Sequence, residues 1–272
     1  MKVQTLLLCV LYLSNAAKLS GFTKLPSGAR SLAMGGAYVA LANTADALFS
    51  NPAGLVQIKG VEVTGFHQKP FGLEDVSYST LSLSLPYTSF RVGLGLAFLD
   101  HDIYQETAIR LGVSGSFNGQ IYYGLGLEMN GVTIDSYGSD RTFCFDFGTI
   151  IPVNKHLSLG FLTTNLSRTD PDGQNGGTPQ TLTLGTAIKP RADLILSLEI
   201  FKDIRFEEEF RFGVEVCVLP AFVVRSGIAS NPDRFSAGFG ISRRWFGLDY
   251  AFFTHHVLGL THQLAFTLRF GG

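Results

Sequence analysis

The sequence has little charge and almost no net charge. Of its 272 residues only 16% are Asp, Glu, Lys or Arg, and the formal net charge at pH 7 is −1. Proteins that bind nucleic acid need a concentration of Lys and Arg that neutralises phosphates. The composition therefore excludes nucleic acid as a partner. Low charge together with 23 phenylalanines fits a surface that partly faces lipid.

Cysteines and the motifs of known catalytic centres are also scarce. Cys9 lies in a leader-like segment, so that only Cys144 and Cys217 remain, and two cysteines make no disulfide framework. The chain has no G-x-S-x-G elbow, no Walker loop, no Rossmann glycine set and no H-E-x-x-H helix. The histidines clustered within residues 255–262 are typical of a solvated loop and not of a metal site. We therefore predict no enzymatic activity, no metal and no cofactor.

No apolar run is long enough to cross a membrane as a helix, which takes about 20 residues. The N-terminus carries Lys2, an apolar core over residues 6–13 and then small residues up to Ala17. This order predicts a secretory signal peptide, residues 1–16, that is cleaved after export. Only helices and closed barrels satisfy every backbone polar group in lipid, so a membrane location requires a closed β-barrel.

After Leu55 apolar residues recur at every second position, which is the period of a strand with two different faces. In residues 92–98, for example, Val, Leu, Leu and Phe alternate with Gly, Gly and Ala. About fourteen such segments, each near the roughly 9–11 residues of a tilted strand, occupy residues 58–272. Short turns alternate with longer connections, above all Ser167 to Pro179, an asymmetry typical of outer-membrane barrels.

The charges lie on one face of the predicted strands, together with small residues such as glycine. A soluble β-sandwich shows the same period, but its polar face would carry more Lys, Glu and Thr and fewer glycines. A charge-free apolar face fits lipid, where Arg or Lys at mid-bilayer costs about 2–4 kcal/mol. We therefore predict an all-β fold, a transmembrane antiparallel β-barrel of about fourteen strands. Its predicted lumen charges are Arg110, Glu128, Asp146, Glu199, Arg211, Glu215, Arg225, Asp249 and Arg269.

The lumen charges have both signs. We expect arginines and carboxylates to pair into a network that braces the barrel, because buried charges are tolerated when they are paired. The alternative is that the four predicted lumen arginines line a path for an acidic solute or head group.

Residues 17–57 precede the strands and form the predicted N-terminal plug, or hatch, of the barrel. Residues 44–50 favour a short helix, which Asn51-Pro52 would end because the residue before proline is pushed out of the helical region. Gly35-Gly36 would allow a close approach to the wall. These residues either gate the lumen or only help the plug to pack. The predicted plug motif comprises Gly28, Arg30, Met34, Gly35, Gly36, Asn51, Pro52 and Gly54.

The stretch from Leu25 to Leu55 carries a G-A-R…M-G-G-A…N-P-A-G-L pattern. This pattern resembles the N-terminal signature of the PorV/PorQ family of outer-membrane barrels, which belongs with the FadL-like fatty-acid transporters. The resemblance implies a location in the outer membrane, a barrel of the predicted strand number and an N-terminal hatch. The matching residues are Gly28, Ala29, Arg30, Met34, Gly35, Gly36, Ala37, Asn51, Pro52, Ala53, Gly54 and Leu55.

The resemblance also implies a function. The better known members of the PorV/PorQ family serve type IX secretion, which implies an accessory of protein secretion with secretion-system or exported proteins as partners on its external loops. The alternative is FadL-like passive transport of a hydrophobic small-molecule ligand, and the third possibility is a scaffold that merely fills the membrane. In each case outer-membrane lipid is a partner.

Overall fold

The computed structural model describes residues 28–136, 138–167, 178–255 and 259–271. Fourteen antiparallel strands close into one barrel, in which each strand pairs with its sequence neighbours and β1 pairs with β14. The predicted all-β barrel and its strand number are thus confirmed. The predicted signal peptide, residues 1–16, and the first part of the predicted plug, residues 17–27, lie outside the described residues.

The strands follow the alternating segments of the sequence, where large apolar residues that favour strands are separated by small or polar ones. Their bounds are Val61–Lys69 (β1), Ser77–Tyr87 (β2), Phe90–His101 (β3), Tyr104–Phe117 (β4), Ile121–Ile134 (β5), Gly138–Pro152 (β6), Leu157–Thr164 (β7), Thr181–Arg191 (β8), Leu194–Asp203 (β9), Glu209–Leu219 (β10), Phe222–Ala229 (β11), Arg234–Ser242 (β12), Phe246–His255 (β13) and Gly259–Phe270 (β14).

Successive side chains of each strand point alternately to the lumen and to the outside. In β5, Leu125 points outwards and is 60% exposed, whereas Gly124 and Glu128 are buried on the inner face. Leu, Ile, Val and Phe side chains are exposed in the same way on the outer faces of the other strands. The barrel therefore has an apolar outer band of the kind that a lipid environment requires.

The plug, described from residue 28 to residue 57, lies inside the barrel. It contains two short helices, Ala29–Ala33 (α1) and Ala47–Ser50 (α2), and a 3₁₀ helix, Pro52–Gln57. In the part of the chain that the structure describes, no helix is long and apolar enough to cross a membrane. Large apolar side chains of the plug are buried, among them Leu32, Met34, Tyr38, Leu48 and Leu55, each at most 3% exposed.

Helix α2 ends where Asn51-Pro52 predicts. Asn51 has an extended backbone, with φ −164° and ψ 103°, and its side-chain oxygen accepts a hydrogen bond from the backbone N–H of Ala53. Proline at the first position then starts the 3₁₀ helix, because its missing N–H has no partner to lose there. The chain turns at this point towards β1.

We expect Leu125→Arg to lower the free energy of unfolding by about 2–4 kcal/mol, because the guanidinium would face the middle of the apolar outer band. The measurement is urea unfolding in lipid vesicles, followed by the fluorescence of Trp245. The matched control is Ile121→Arg, on the same face at the turn end of β5, where the cost falls to about 0–1 kcal/mol. Equal effects at the two positions would contradict the position of the band.

Candidate functional site

A belt of inward-facing glycines lets the plug approach the barrel wall at backbone distance. A Cβ atom added at Gly227 would lie 2.1 Å from the backbone nitrogen of Gly35, and one added at Gly160 would lie 2.6 Å from that of Ala40. No larger residue fits at either position unless the plug moves. The glycine belt consists of Gly93, Gly95, Gly112, Gly124, Gly148, Gly160, Gly185, Gly213, Gly227 and Gly238, each of which would bring an added Cβ against a plug atom.

Gly35 of the plug motif lies against the seam between β10 and β11. Its φ is +68°, and a Cβ atom there would lie 2.7 Å from the carbonyl oxygen of Ile228 and 2.9 Å from that of Phe212. Its N–H donates to the hydroxyl of Ser236 in β12 at 3.0 Å. The left-handed backbone and the short distances both require glycine here.

Asn51 of the plug motif joins two parts of the plug to the wall. Its Nδ2 donates to the carbonyl of Val39 at 2.8 Å and to that of Thr149 in β6 at 3.2 Å. The residue is fully buried, so these bonds satisfy polar groups that have no access to water. Of the other apolar or small motif residues, Gly28, Met34, Pro52 and Gly54 are buried, and Gly36 is half-buried against the side chain of Arg211.

Ion pairs hold helix α1 to the wall. Arg30 forms a bidentate pair with Glu215 of β10, with Nε–Oε2 at 2.7 Å and Nη2–Oε1 at 2.9 Å. The same carboxylate accepts from Nε of Arg225 at 2.6 Å, and Nη1 of Arg225 donates to Asp249 at 2.5 Å. One plug residue and three strands thus share a single chain of charges. A charge of this chain that lost every counter-ion would be costly to keep buried.

Glu199 of β9 binds the plug backbone directly. Its Oε2 accepts from the N–H groups of Tyr38 at 2.9 Å and Val39 at 2.8 Å. Its Oε1 accepts from Arg211 at 2.7 Å, and Arg211 also donates to Glu209 at 2.9 Å. Hydrogen bonds to an ionised acceptor are stronger than those between neutral groups. Glu199 therefore holds the middle of the plug to β9, just as Glu215 holds helix α1 to β10.

Another ion pair lies beside helix α2. Arg110 pairs with Glu128, and its guanidinium carbon lies 4.8 Å from the centroid of the Phe49 ring. Both charged residues are less than 10% exposed. Asp146 accepts a hydrogen bond from the N–H of Asn165 at 3.0 Å, at the start of the connection to β8. Each of these predicted charges lies on the inner face of its strand.

Arg269 pairs with Glu62, a residue that sequence reasoning missed. Nε of Arg269 donates to Oε2 of Glu62 at 2.9 Å, and Oε1 of Glu62 accepts from the plug N–H of Ala45 at 2.7 Å. Glu62 stands between two outward-facing valines of β1, so the alternating pattern would have revealed it if extended into the first strand. Every predicted lumen arginine has a carboxylate partner, an arrangement that favours a bracing network over an open path for acidic solutes.

A polar cavity of about 220 Å³ lies between the plug and strands β1 and β10–β14. Asp46 of the plug borders it and accepts a hydrogen bond from the hydroxyl of Thr44. Burial raises the pKa of Asp46 to about 6, because removal from water disfavours the charged form. The other charged residues of this cavity are already paired: Arg30, Glu215, Arg225, Asp249 and Arg269.

Comparison with solved structures finds the same fold in hydrocarbon channels. The CymD monoaromatic hydrocarbon channel matches with a TM-score of 0.69 and 12% identity, over 92% of this chain and 99% of CymD. The toluene transporter TodX of Pseudomonas putida matches with a TM-score of 0.70 and 12% identity, over 90% and 98% of the two chains. A FadL homologue of Pseudomonas aeruginosa matches with a TM-score of 0.65 and 12% identity, over 90% and 99%.

These likenesses define the class of fold. The chain has the fold of FadL-like outer-membrane barrels, with a plug inside fourteen strands. Neither a scan against protein-family models nor a search of curated proteins finds a match. The comparisons give no support to the PorV/PorQ family in particular.

We expect Arg30→Met to lower the free energy of unfolding by about 2–3 kcal/mol. Loss of one partner from a buried ion pair usually costs about 3–5 kcal/mol. The effect is limited because Glu215 keeps Arg225 as a partner. The control is Arg191→Met, which breaks the exposed pair with Asp193 and should cost about 0–1 kcal/mol. Urea unfolding in vesicles measures both, and equally small losses would show that the Arg30 pair does not hold the plug.

We expect Gly227→Ala to displace the plug, because the new methyl group would occupy the position of the Gly35 backbone. Single-channel recording in planar bilayers should then detect a higher ion conductance than that of the unmodified protein. The control is Gly126→Ala, whose Cβ would lie no closer than 3.3 Å to the nearest atom, the Cβ of Asp146, and should leave the conductance unchanged. An unchanged conductance in a folded Gly227→Ala protein would contradict a plug that closes the bore.

Proposed function

We propose that this protein is an outer-membrane channel through which small hydrophobic molecules pass. In this proposal residues 1–16 direct export and are removed, residues 17–57 form the plug, and residues 58–272 form the barrel in contact with outer-membrane lipid. The apolar outer band supports the membrane location. The shared fold with channels for monoaromatic hydrocarbons and toluene supports the class of cargo.

The observation that carries the proposal is an apolar patch on the inner wall beside the plug. Phe66 and Tyr78 pack edge to face with ring centroids 5.9 Å apart, next to Phe49 of the plug. Leu99 and Ala108 pack against this group from β3 and β4. These wall residues lie in the half of the barrel that ends in the longer connections. A hydrophobic molecule that displaces the plug on this side gains apolar contacts in the patch, while the charged neighbours Arg110 and Glu128 are already paired with each other.

The closed bore also favours a hydrophobic cargo over free diffusion of hydrophilic solutes. The plug meets the glycine belt from β3 to β12 and is bonded to β1, β9 and β10 by charged groups. Passage therefore requires local displacement of the plug. Cargo that binds the apolar patch better when the plug is displaced would shift the plug towards the displaced state, since a ligand shifts an equilibrium only by binding one state better.

A role as an accessory of protein secretion has less support. Several connections at the end opposite the tight turns are short, such as residues 102–103, 204–208 and 230–233. A stable interface between two proteins takes about 800 Å² from each partner. The described connections offer little surface of that extent, so we retain secretion-system and exported proteins only as outcomes of the experiment below.

The test is uptake of radiolabelled toluene by a bacterial host that lacks hydrocarbon channels. We expect expression of this protein to raise the uptake several-fold above that of the empty vector. Leu99→Asn should reduce the gain, because a polar amide replaces apolar contact surface in the patch. The matched control Leu99→Met keeps the patch apolar and should keep the uptake.

Outer-membrane levels of all variants are compared first, so that a failure of assembly is not mistaken for a failure of transport. Uptake no greater than that of the vector, at normal levels in the membrane, would contradict the proposed function. Recovery of secretion components or exported proteins with the native protein, together with absent uptake, would move the assignment to secretion.

A further inference from the structure

An apolar groove crosses the outer surface of the barrel from β7 to β12. Its volume is about 1010 Å³. Its floor is a row of paired backbone positions, Gly160, Gly185, Glu199, Arg211, Ala229 and Arg234, whose side chains, where present, point into the lumen. The outward side chains of the two flanking rows form its sides: Leu184, Ile200 and Phe210 in one row, and Leu159, Thr186, Leu198, Phe212, Ile228 and Phe235 in the other. The hydroxyl of Thr186 donates to the carbonyl of Ser158 within the sheet.

The groove is long and uncharged. Six neighbouring strands at about 4.8 Å spacing give a length of about 24 Å. The charged side chains of the floor are used on the inner side, where Arg211 pairs with Glu199 and Arg234 pairs with Glu209. Among the described residues, the one other charged residue at the groove is Asp233, at its end beside the β11–β12 connection. The carboxylate of Asp233 would repel an anionic head group. An uncharged chain therefore matches the groove better.

The groove shares two wall residues with the plug contact. Phe212 and Ile228 point their side chains into the groove, while their carbonyl oxygens face Gly35 on the other side of the wall. These residues are direct partners across the β10–β11 pair. A molecule in the groove therefore lies one backbone thickness from the plug.

We propose that the outer groove is a binding site for a long, uncharged hydrocarbon chain that reaches it from the bilayer. The concave wall contacts such a chain on three sides, and this packing is the attraction available inside a membrane, where apolar transfer from water no longer contributes. A single aromatic ring would fill only a small part of the volume. That the chain is cargo rests on the proposed function, but its binding in the groove does not.

The experiment places a fluorescent reporter in the groove. Trp245 is the single tryptophan of the chain and is replaced first, Trp245→Phe, so that Phe212→Trp supplies the only indole. The protein is reconstituted in phosphatidylethanolamine–phosphatidylglycerol vesicles, and bromohexadecane is added as a quenching probe. We expect saturable quenching at low mole fraction that unlabelled hexadecane reverses. The matched control, Phe239→Trp, faces lipid on β12 outside the groove and should show only a linear rise in quenching.

A second reporter, Phe210→Trp in the facing row, replaces the first if Phe212→Trp does not fold. Ile228→Phe in the reporter background narrows the groove and should remove the saturable component. Linear quenching at both groove reporters, equal to that at position 239, would overturn the inference. Shielding of the groove reporter from bromohexadecane, with cross-linking between chains through Ile228→Cys, would assign the groove to a second copy and would also overturn it.

The uptake assay separates this inference from the proposed function. Normal toluene uptake without saturable quenching would overturn the groove site alone. Saturable quenching without toluene uptake would overturn the proposed function and leave the groove as a site for a resident hydrocarbon chain.

Discussion

Backbone contact between the plug and the wall is the constraint on which the rest of the structure depends. The wall can approach Gly35 and Ala40 this closely only because Gly227 and Gly160 have no side chains. Once the two backbones touch, water is excluded and the charges between them must be paired. The bonds from Glu199 to the plug amides follow from that exclusion, whereas the pair between Arg30 and Glu215 borders the polar cavity.

Under the proposed function, this constraint also limits what the barrel would transport. A plug that meets the wall around most of the bore leaves no wide aqueous path, so the cargo has to compete for apolar contacts or displace the plug. The patch around Phe66 and Tyr78 supplies such contacts on the inside, and the groove over Phe212 and Ile228 supplies them on the outside. Both surfaces lie next to the plug, which would make it the element common to binding and passage in the proposed function.

Much of this fold was predictable from the sequence, because a strand with one face in lipid and one face on a plug has a strict period of two. That period predicted the strand number and the inward position of residues such as Glu199 and Arg225. It did not give Glu62, which lies in the first strand where the pattern was not followed. The ion-pair partners could not be predicted, because they depend on which strands and plug residues meet in the folded barrel. The groove could not be predicted either, because it is formed by two rows of side chains that run across six strands and are far apart in the sequence.

Hydrogen exchange of the plug amides in native-like vesicles tests the central claim most directly, namely that the plug is docked and closes the barrel. The account predicts that the amides of Gly35, Tyr38 and Val39, which donate to Ser236 and Glu199, are protected as strongly as those of the central strands. Addition of toluene should lower their protection while the strands keep theirs. Rapid exchange of these three amides in the protein alone would contradict a docked plug.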